Sequence, residues 1–172
     1  MECELQKKII EALLFLKEDP VKNELIADVL SIPREEAADL VRELQSDLAA
    51  AGRGIQIYEV AGGYQMGTLP ELASYLERSF TEDGSGSLSQ AAMETLSIIA
   101  YRQPVTRVDV ESIRGVKCEH VLENLLKRKL IRICGRKEGP GRPLIYSTTT
   151  EFLKYFGLKE LPDLPPLEEE RD

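Results

Sequence analysis

A short glycine- and serine-rich segment constrains the fold of this 172-residue chain more than any other feature. Residues 82–87 read Glu-Asp-Gly-Ser-Gly-Ser, which gives the backbone freedom and offers no apolar side chain to anchor it. We therefore interpret residues 81–87 as a linker between a first domain, residues 1–80, and a second domain, residues 88–158. Each has the length of a small domain, which needs roughly 50–100 residues.

Hydrophobic periodicity predicts the elements of the first domain. Apolar residues recur every three or four positions in helices and every second position in strands. The domain shows three helical patterns, a hairpin that turns at a glycine pair, and a last helical pattern, in residues 5–16, 23–30, 33–50, 55–66 and 70–80.

The second domain repeats this order. It shows three helical patterns, two short strands and a closing helix, in residues 89–101, 107–113, 118–129, 131–134, 144–146 and 150–156. Three helices followed by a β-hairpin and a helix is the layout of a winged helix. The sequence thus predicts a mainly α fold with small β-hairpins, an α+β arrangement of two tandem winged-helix domains.

The charge of the chain is unevenly distributed around a net value of −8. Residues 1–80 carry 8 basic and 15 acidic side chains, whereas residues 88–158 carry 12 basic and 7 acidic ones. An acidic first domain repels nucleic acid, while a mildly basic second domain can meet an acidic surface. Residues 159–172 combine three prolines with a run of charges, so we expect a mobile acidic tail.

Neither the apolar runs nor the cysteines indicate a membrane or secreted protein. The longest uninterrupted apolar stretch is Ala12–Leu16, and a membrane span needs about 20 residues. The opening Met-Glu-Cys-Glu is acidic, where a secretion signal is basic. The three cysteines have neither disulfide-framework nor zinc-ligand spacing. We expect a cytoplasmic protein without a metal ion.

Catalytic chemistry finds no support in the residue pattern. His120 is the only histidine, and Cys118 lies two positions away, on a different face of the same predicted helix. The turn Gly139–Pro143 lacks the spacing of a phosphate-binding loop, and its prolines remove amide donors. We therefore predict a protein that is not an enzyme and has neither a cofactor nor a small-molecule substrate. An enzyme that uses Cys118 or His120 is the weakest of the functions considered.

DNA binding is the serious alternative, because winged helices often place their third helix in the major groove. In the first domain that helix carries two basic and five acidic side chains, which disfavours the duplex. In the second domain, Glu119 and Glu123 stand at the start of the third helix and basic residues at its end. The sequence thus allows weak or indirect DNA contact by the second domain, and a DNA-binding transcriptional regulator remains the alternative function.

Several motifs carry a family resemblance. The second domain contains Ile99-Ala-Tyr-Arg-Gln-Pro-Val105, Pro140-Gly-Arg-Pro143 and Phe156-Gly-Leu158, and the first contains Ile10-Glu-Ala-Leu-Leu-Phe15 and Val60-Ala-Gly-Gly-Tyr-Gln65. With these motifs the chain resembles the family of segregation and condensation protein B (ScpB), over about residues 5–158 with the linker apart.

The resemblance implies a function that composition and residue spacing do not indicate. It implies a non-catalytic homodimer that pairs mainly through the first domain and whose second domain binds the kleisin ScpA. ScpA joins two SMC ATPase heads, so the chain would be an adaptor in an SMC condensin complex. That complex acts in chromosome condensation and partition during cell division, and the protein would associate with the nucleoid through it.

Two sets of residues are candidates for these contacts. Aromatic and arginine side chains are favoured at interfaces, so the kleisin contact is predicted at Tyr101, Arg102, Gln103, Arg136 and Arg142. A role for Arg142 in bracing the turn of the hairpin is an alternative. Dimerisation is predicted at Ile10, Leu14 and Phe15, although a helix that is apolar nearly all round can also be buried in its own domain.

Overall fold

The computed structural model describes residues 2–77 and 88–166. The chain divides into two compact units, which we call unit 1 (residues 1–84 and 157–172) and unit 2 (residues 85–156). The predicted linker, residues 81–87, lies outside the described residues. Each unit is considered by itself below.

Unit 1 consists of three helices, a β-hairpin and a short fourth helix. The elements are α1 (Glu2–Leu16), α2 (Asn23–Leu30), α3 (Arg34–Ala50), β1 (Ile55–Val60), β2 (Gly63–Thr68) and α4 (Ala73–Leu76). The predicted helix over residues 70–80 begins as a 3-10 turn, Pro70–Leu72, before α4, and residues 78–80 are not described.

The core of unit 1 lies between the three helices and the inner face of the hairpin. It is formed by the apolar stripe of each helix, with Ile10, Ile26 and Val41 fully buried and Ile57 contributed by β1. Burying a side chain of this size contributes roughly 1.5–3 kcal/mol, so each stripe sets the orientation of its helix.

The hairpin of unit 1 turns tightly and packs against the chain that precedes α2. Ala61 and Gly62 both adopt positive φ, 52° and 67°, as a two-residue hairpin turn requires. Beside the turn, the backbone groups of Val21 and Tyr64 exchange two hydrogen bonds of 2.8 Å. A Cβ on Gly63 would stand 2.9 Å from the carbonyl oxygen of Val21, so this close approach requires glycine.

The chain after unit 2 adds contacts to this hairpin. The amide of Ala61 donates to the carbonyl of Leu158 over 2.9 Å, and Lys159 pairs with Glu59 of β1. Both the Lys159 and Glu160 amides donate to the carboxylate of Asp163. Residues 159–166, expected to begin a mobile tail, thus include a hydrogen-bonded turn, while residues 167–172 lie outside the described part of the chain.

Unit 2 has the same succession with one more strand. Its elements are α5 (Gln90–Arg102), β3 (Val105–Thr106), α6 (Arg107–Arg114), α7 (Glu119–Lys127), β4 (Ile131–Arg136), β5 (Leu144–Thr148) and α8 (Thr150–Phe156). The three strands are antiparallel in the order β3-β5-β4.

Polar caps define where the helices of unit 2 begin. The Ser89 hydroxyl accepts from the Ala92 amide at the start of α5. At the start of α6, Thr106 and Asp109 form a reciprocal capping box, in which Asp109 accepts from both the amide and the hydroxyl of Thr106. These hydrogen bonds hold the pKa of Asp109 below its usual value.

Both units therefore place three helices ahead of an antiparallel hairpin, and α8 follows the hairpin of unit 2. The predicted fold, mainly α with small β-hairpins in two winged-helix units, is confirmed.

Candidate partner-binding surfaces

The residues considered for catalysis do not form a reactive site. Cys118 is buried, and that burial raises the pKa of its thiol, which disfavours the nucleophilic thiolate. His120 is 99% exposed, with its Nδ1 atom 3.8 Å from the carboxylate of Glu123 on the next turn of α7. Within residues 2–77 and 88–166, no three or more His, Cys, Asp or Glu side chains are grouped as a metal site requires.

None of the described helices combines the length and the apolar composition that a membrane-spanning segment needs.

The three candidates for dimerisation divide between the core and the surface. Ile10 and Leu14 are buried in the core of unit 1, at 0% and 2% exposure, whereas Phe15 is 82% exposed. Leu5 and Leu16 of the same helix are also largely exposed. Among the large apolar side chains of α1, those of Leu5, Ile9, Phe15 and Leu16 are therefore exposed to contact with another molecule, whereas those of Ile10 and Leu14 are not.

The candidate kleisin-binding residues at the end of α5 differ in their surroundings. Arg102 is exposed and Tyr101 is half-buried. The side-chain amide of Gln103 donates to the hydroxyl of Thr148 over 2.9 Å and accepts from the Thr148 amide over 2.8 Å. Gln103 thus joins the end of α5 to the end of β5, and its hydrogen-bonding groups are used inside the unit.

Arg136 and Arg142 lie at the other end of the hairpin. Arg136 pairs with Leu144 in the β4–β5 ladder, four residues along β5 from Thr148. At ~3.3 Å per residue this is a separation of about 13 Å along the strand. The structure therefore brings Arg136 and Arg142 together but does not bring them to Tyr101 and Arg102.

The turn between β4 and β5 is braced by the backbone of Arg142. Its amide donates to the Gly139 carbonyl over 3.2 Å, and its carbonyl accepts from the Arg136 guanidinium over 3.1 Å. Because these bonds use the main chain, the guanidinium of Arg142 is not needed to brace the turn.

A groove of about 460 Å³ runs between the helices α6 and α7 and the hairpin of unit 2; we call it the wing groove. Its apolar surface is formed by Val108, Leu122, Leu126, Ile133, Leu144 and Tyr146. Its charged rim is formed by Arg107, Glu119, Glu123, Arg136 and Arg142. Two of the predicted kleisin-binding residues thus line one surface with apolar residues that the sequence did not single out.

A β-bulge explains how Ile133 and Arg136 come to the same side of the hairpin. Ile133 pairs with Tyr146 and Arg136 pairs with Leu144, while Cys134 is the extra residue of β4. Tyr146 and Leu144 are two positions apart and share a face, so their partners share it as well. Regular alternation would have put Ile133 and Arg136 on opposite faces.

The charges on the rim are balanced at one end only. Arg107 pairs with the carboxylate of Glu119 at 2.9 Å and lies 3.9 Å from that of Glu111. Arg136 and Arg142 form no ion pair with any side chain in the described ranges. The end of the wing groove that is nearest the turn is therefore the basic end.

Unit 1 has a smaller cleft of about 290 Å³ beside its own hairpin. Asn23, Glu59, Tyr64 and Lys159 line it, and desolvation raises the pKa of the Tyr64 hydroxyl. The side-chain oxygen of Asn23 is buried without a hydrogen-bond partner among the described residues. Lys159 and Glu160 supply charged groups to its wall, and it exposes less apolar surface than the wing groove.

Comparison with known proteins identifies the family. The family model described as "Segregation and condensation complex subunit ScpB" matches residues 8–167. A protein of Brevibacillus brevis named Segregation and condensation protein B is 51% identical over 166 residues, which are 96% of this chain and 86% of that protein. A protein of the same name from Symbiobacterium thermophilum is 52% identical over 162 residues, 94% of this chain and 74% of that protein.

Two solved structures are similar as well. The crystal structure of ScpB from Mycobacterium tuberculosis is 32% identical, with a TM-score of 0.45 over 92% of this chain and 98% of that one. A dimer of an ScpB N-terminal domain complexed with an ScpA peptide is 38% identical, with a TM-score of 0.43 over 44% of this chain and 95% of that one. At such scores the match of sequence, not the superposition, carries the assignment. On that match, which spans nearly the whole chain, this protein belongs to the ScpB family of segregation and condensation complex subunits.

Proposed function

We propose that this chain is a non-catalytic, homodimeric adaptor that binds the kleisin ScpA and through it the SMC protein. It would act in the cytoplasm, at the nucleoid, in chromosome condensation and segregation. The observation that carries the proposal is the family match across residues 8–167, which includes both winged-helix units.

Self-association is assigned to unit 1, as the resemblance implied. Phe15 and Leu16, at 82% and 76% exposure, lie at the end of α1, and Leu5 lies at its other end at 60%. Large apolar side chains that are exposed together on one helix are typical of a surface that another molecule covers. Ile10 and Leu14 contribute indirectly, because they fix the helix that carries Phe15.

Kleisin binding is assigned to unit 2, which carries the basic surplus of the chain. Arg102 and Arg142 are exposed and differ in position, so each tests a different part of the surface. Tyr101 and Arg136 are retained as contact candidates, whereas Gln103 is assigned to holding the end of α5 against β5.

Size-exclusion chromatography with light scattering, on the chain alone and mixed with ScpA of the same genome, tests the proposal. We expect a dimer that shifts into a stable larger complex. Phe15→Asp should give a monomer, because a charge cannot be buried unpaired in an apolar interface. The control Val116→Asp changes an equally apolar residue, exposed at 55% in unit 2, and should leave the dimer intact.

A wild-type chain that shows no affinity for ScpA would overturn the adaptor assignment. A Phe15→Asp chain that remains dimeric would place the self-association elsewhere than on α1.

A further inference from the structure

The wing groove of unit 2 exposes apolar side chains from separate elements to the same space. Val108 on α6 is 62% exposed and Ile133 on β4 is 46% exposed, and both line the groove. Single exposed apolar residues are ordinary on protein surfaces, but residues that converge on one concave surface indicate a binding site. Beneath them, Leu122 and Tyr146 are buried and give the groove a rigid apolar floor.

The charged groups of the rim favour a partner with carboxylates at one end. Arg107 is already paired with Glu119 at 2.9 Å. Arg136 and Arg142, in contrast, have no carboxylate partner among the described residues, and both stand at the turn end of the groove. An arginine whose only hydrogen-bond acceptor is a carbonyl can still form a bidentate pair with an incoming carboxylate.

We propose that the wing groove binds a peptide segment that places a large apolar side chain against Ile133 and Val108 and a carboxylate against Arg136 and Arg142. This rests on the proposed function and deepens it, because it names the chemistry of the ScpA segment that unit 2 recognises. The partner is a stretch of polypeptide that contains both acidic and apolar residues, and the groove binds both kinds of side chain.

The same surface is unsuited to a nucleic-acid backbone. Glu119 and Glu123 lie on the first part of α7, where a winged helix would approach bases, and both line the groove. Their carboxylates repel phosphates, and the apolar floor has no counterpart on a duplex backbone. A peptide satisfies both features, since its apolar side chain covers the floor and its carboxylate is confined to the basic end.

Two substitutions in the groove, each with a matched control, test the proposal on the full chain. Ile133→Asp puts a charge on the exposed apolar surface of the groove, and Ile113→Asp makes the same change at a residue of α6 that is 55% exposed and outside the groove. Arg136→Glu reverses a charge in the groove. Arg132→Glu reverses one on the opposite face of β4, where the Arg132 side chain donates to Ser147 over 3.3 Å.

Isothermal titration calorimetry with ScpA of the same genome measures the affinity of each variant, and thermal unfolding confirms that each is folded. We expect Ile133→Asp and Arg136→Glu to weaken binding by about tenfold or more, which corresponds to roughly 1.4 kcal/mol. Ile113→Asp and Arg132→Glu should change it by less than about threefold. A 30-base-pair duplex serves as the competing probe.

Each other outcome contradicts the proposal in a different way. If the wild type binds ScpA and both groove variants bind it equally well, the adaptor assignment stands and the groove is not its site. If Arg136→Glu and Arg132→Glu weaken binding equally while Ile133→Asp does not, the attraction is non-specific electrostatics. If Arg136→Glu abolishes duplex binding and leaves ScpA binding unchanged, the groove is a phosphate site. If the wild type does not bind ScpA at all, the proposed function fails first.

Discussion

The hairpins of the two units are built alike but are held differently. In unit 1 the turn residue Ala61 is buried, its carbonyl accepts from the Lys22 ammonium over 2.6 Å, and its amide donates to Leu158. In unit 2 the turn, residues 137–142, is exposed throughout. One hairpin is therefore fixed by the rest of its unit, and the other is available to a partner.

In each hairpin the third residue of the first strand is an isoleucine, and the two isoleucines differ in exposure in the same way. Ile57 of β1 is 5% exposed and belongs to the core of unit 1, whereas Ile133 of β4 is 46% exposed. Both are isoleucines on the face that turns toward the helices. The winged-helix layout therefore does not decide whether a hairpin serves packing or recognition.

We expect the largest difference in stability between variants in which one or the other of these two isoleucines is replaced by alanine. Ile57→Ala should lower the free energy of unfolding by about 2–4 kcal/mol, because it removes buried methyl groups and leaves a cavity. Ile133→Ala should lower it by less than about 1 kcal/mol, because its side chain is half in solvent already. Urea unfolding of the two variants, with amide hydrogen exchange to assign the change to a unit, provides the measurement. Equal losses would show that the hairpin of unit 2 is packed as tightly as that of unit 1.

The two hairpins also differ in the space around a glycine of the backbone. A Cβ at Gly63 would meet the Val21 carbonyl oxygen at 2.9 Å, so Gly63→Ala forces backbone atoms apart and should cost about 1–3 kcal/mol. A Cβ at Gly135 would meet nothing within 4 Å, so Gly135→Ala should change stability by less than about 0.5 kcal/mol. Thermal unfolding of both variants distinguishes them, and a destabilised Gly135→Ala would mean that this part of β4 is more constrained than its open surroundings indicate.

The smallest expected effect concerns the capping box beside the hairpin of unit 2. Thr106→Ala removes the cap of α6 and should cost about 1 kcal/mol at pH 7. Because the pKa of Asp109 is lowered in the folded state, its contribution is present above its unfolded pKa, about 3.9, and is lost as the pH falls through the lower folded value. The difference between wild type and Thr106→Ala should therefore shrink in acid, as urea titrations at pH 7 and pH 3 will measure. Thr150→Ala, at an exposed threonine of the same unit, should show no such pH dependence.

Local pattern was sufficient for most of the fold. The helix α2 and the hairpin turn at Ala61 and Gly62 lie where apolar spacing and turn chemistry predict them, because both signals act between near neighbours in the chain. The family motifs implied binding partners as well, which hydrophobic periodicity does not indicate.

The sites were predicted less completely. Ile10, Leu14 and Phe15 are equally apolar in the sequence, and only the packing of α1 on α3 buries the first two and leaves the third exposed. Gln103 has the polarity of an interface residue, but its partner Thr148 is 45 residues away. Neither the difference in burial along α1 nor the hydrogen bonding of Gln103 is indicated by neighbouring residues in the sequence.

The order of the helices and strands and the opposite charges of the two parts of the chain follow from composition and short-range periodicity alone. Which hairpin is enclosed and which is open depends instead on contacts between residues that are distant in the chain. Leu158 reaches Ala61 across 97 residues of chain, and the bulge at Cys134 moves Arg136 onto the face of Ile133. Both depend on which distant backbone groups pair, and hydrogen-bond partners of that kind are set by the folded packing and not by neighbouring side chains.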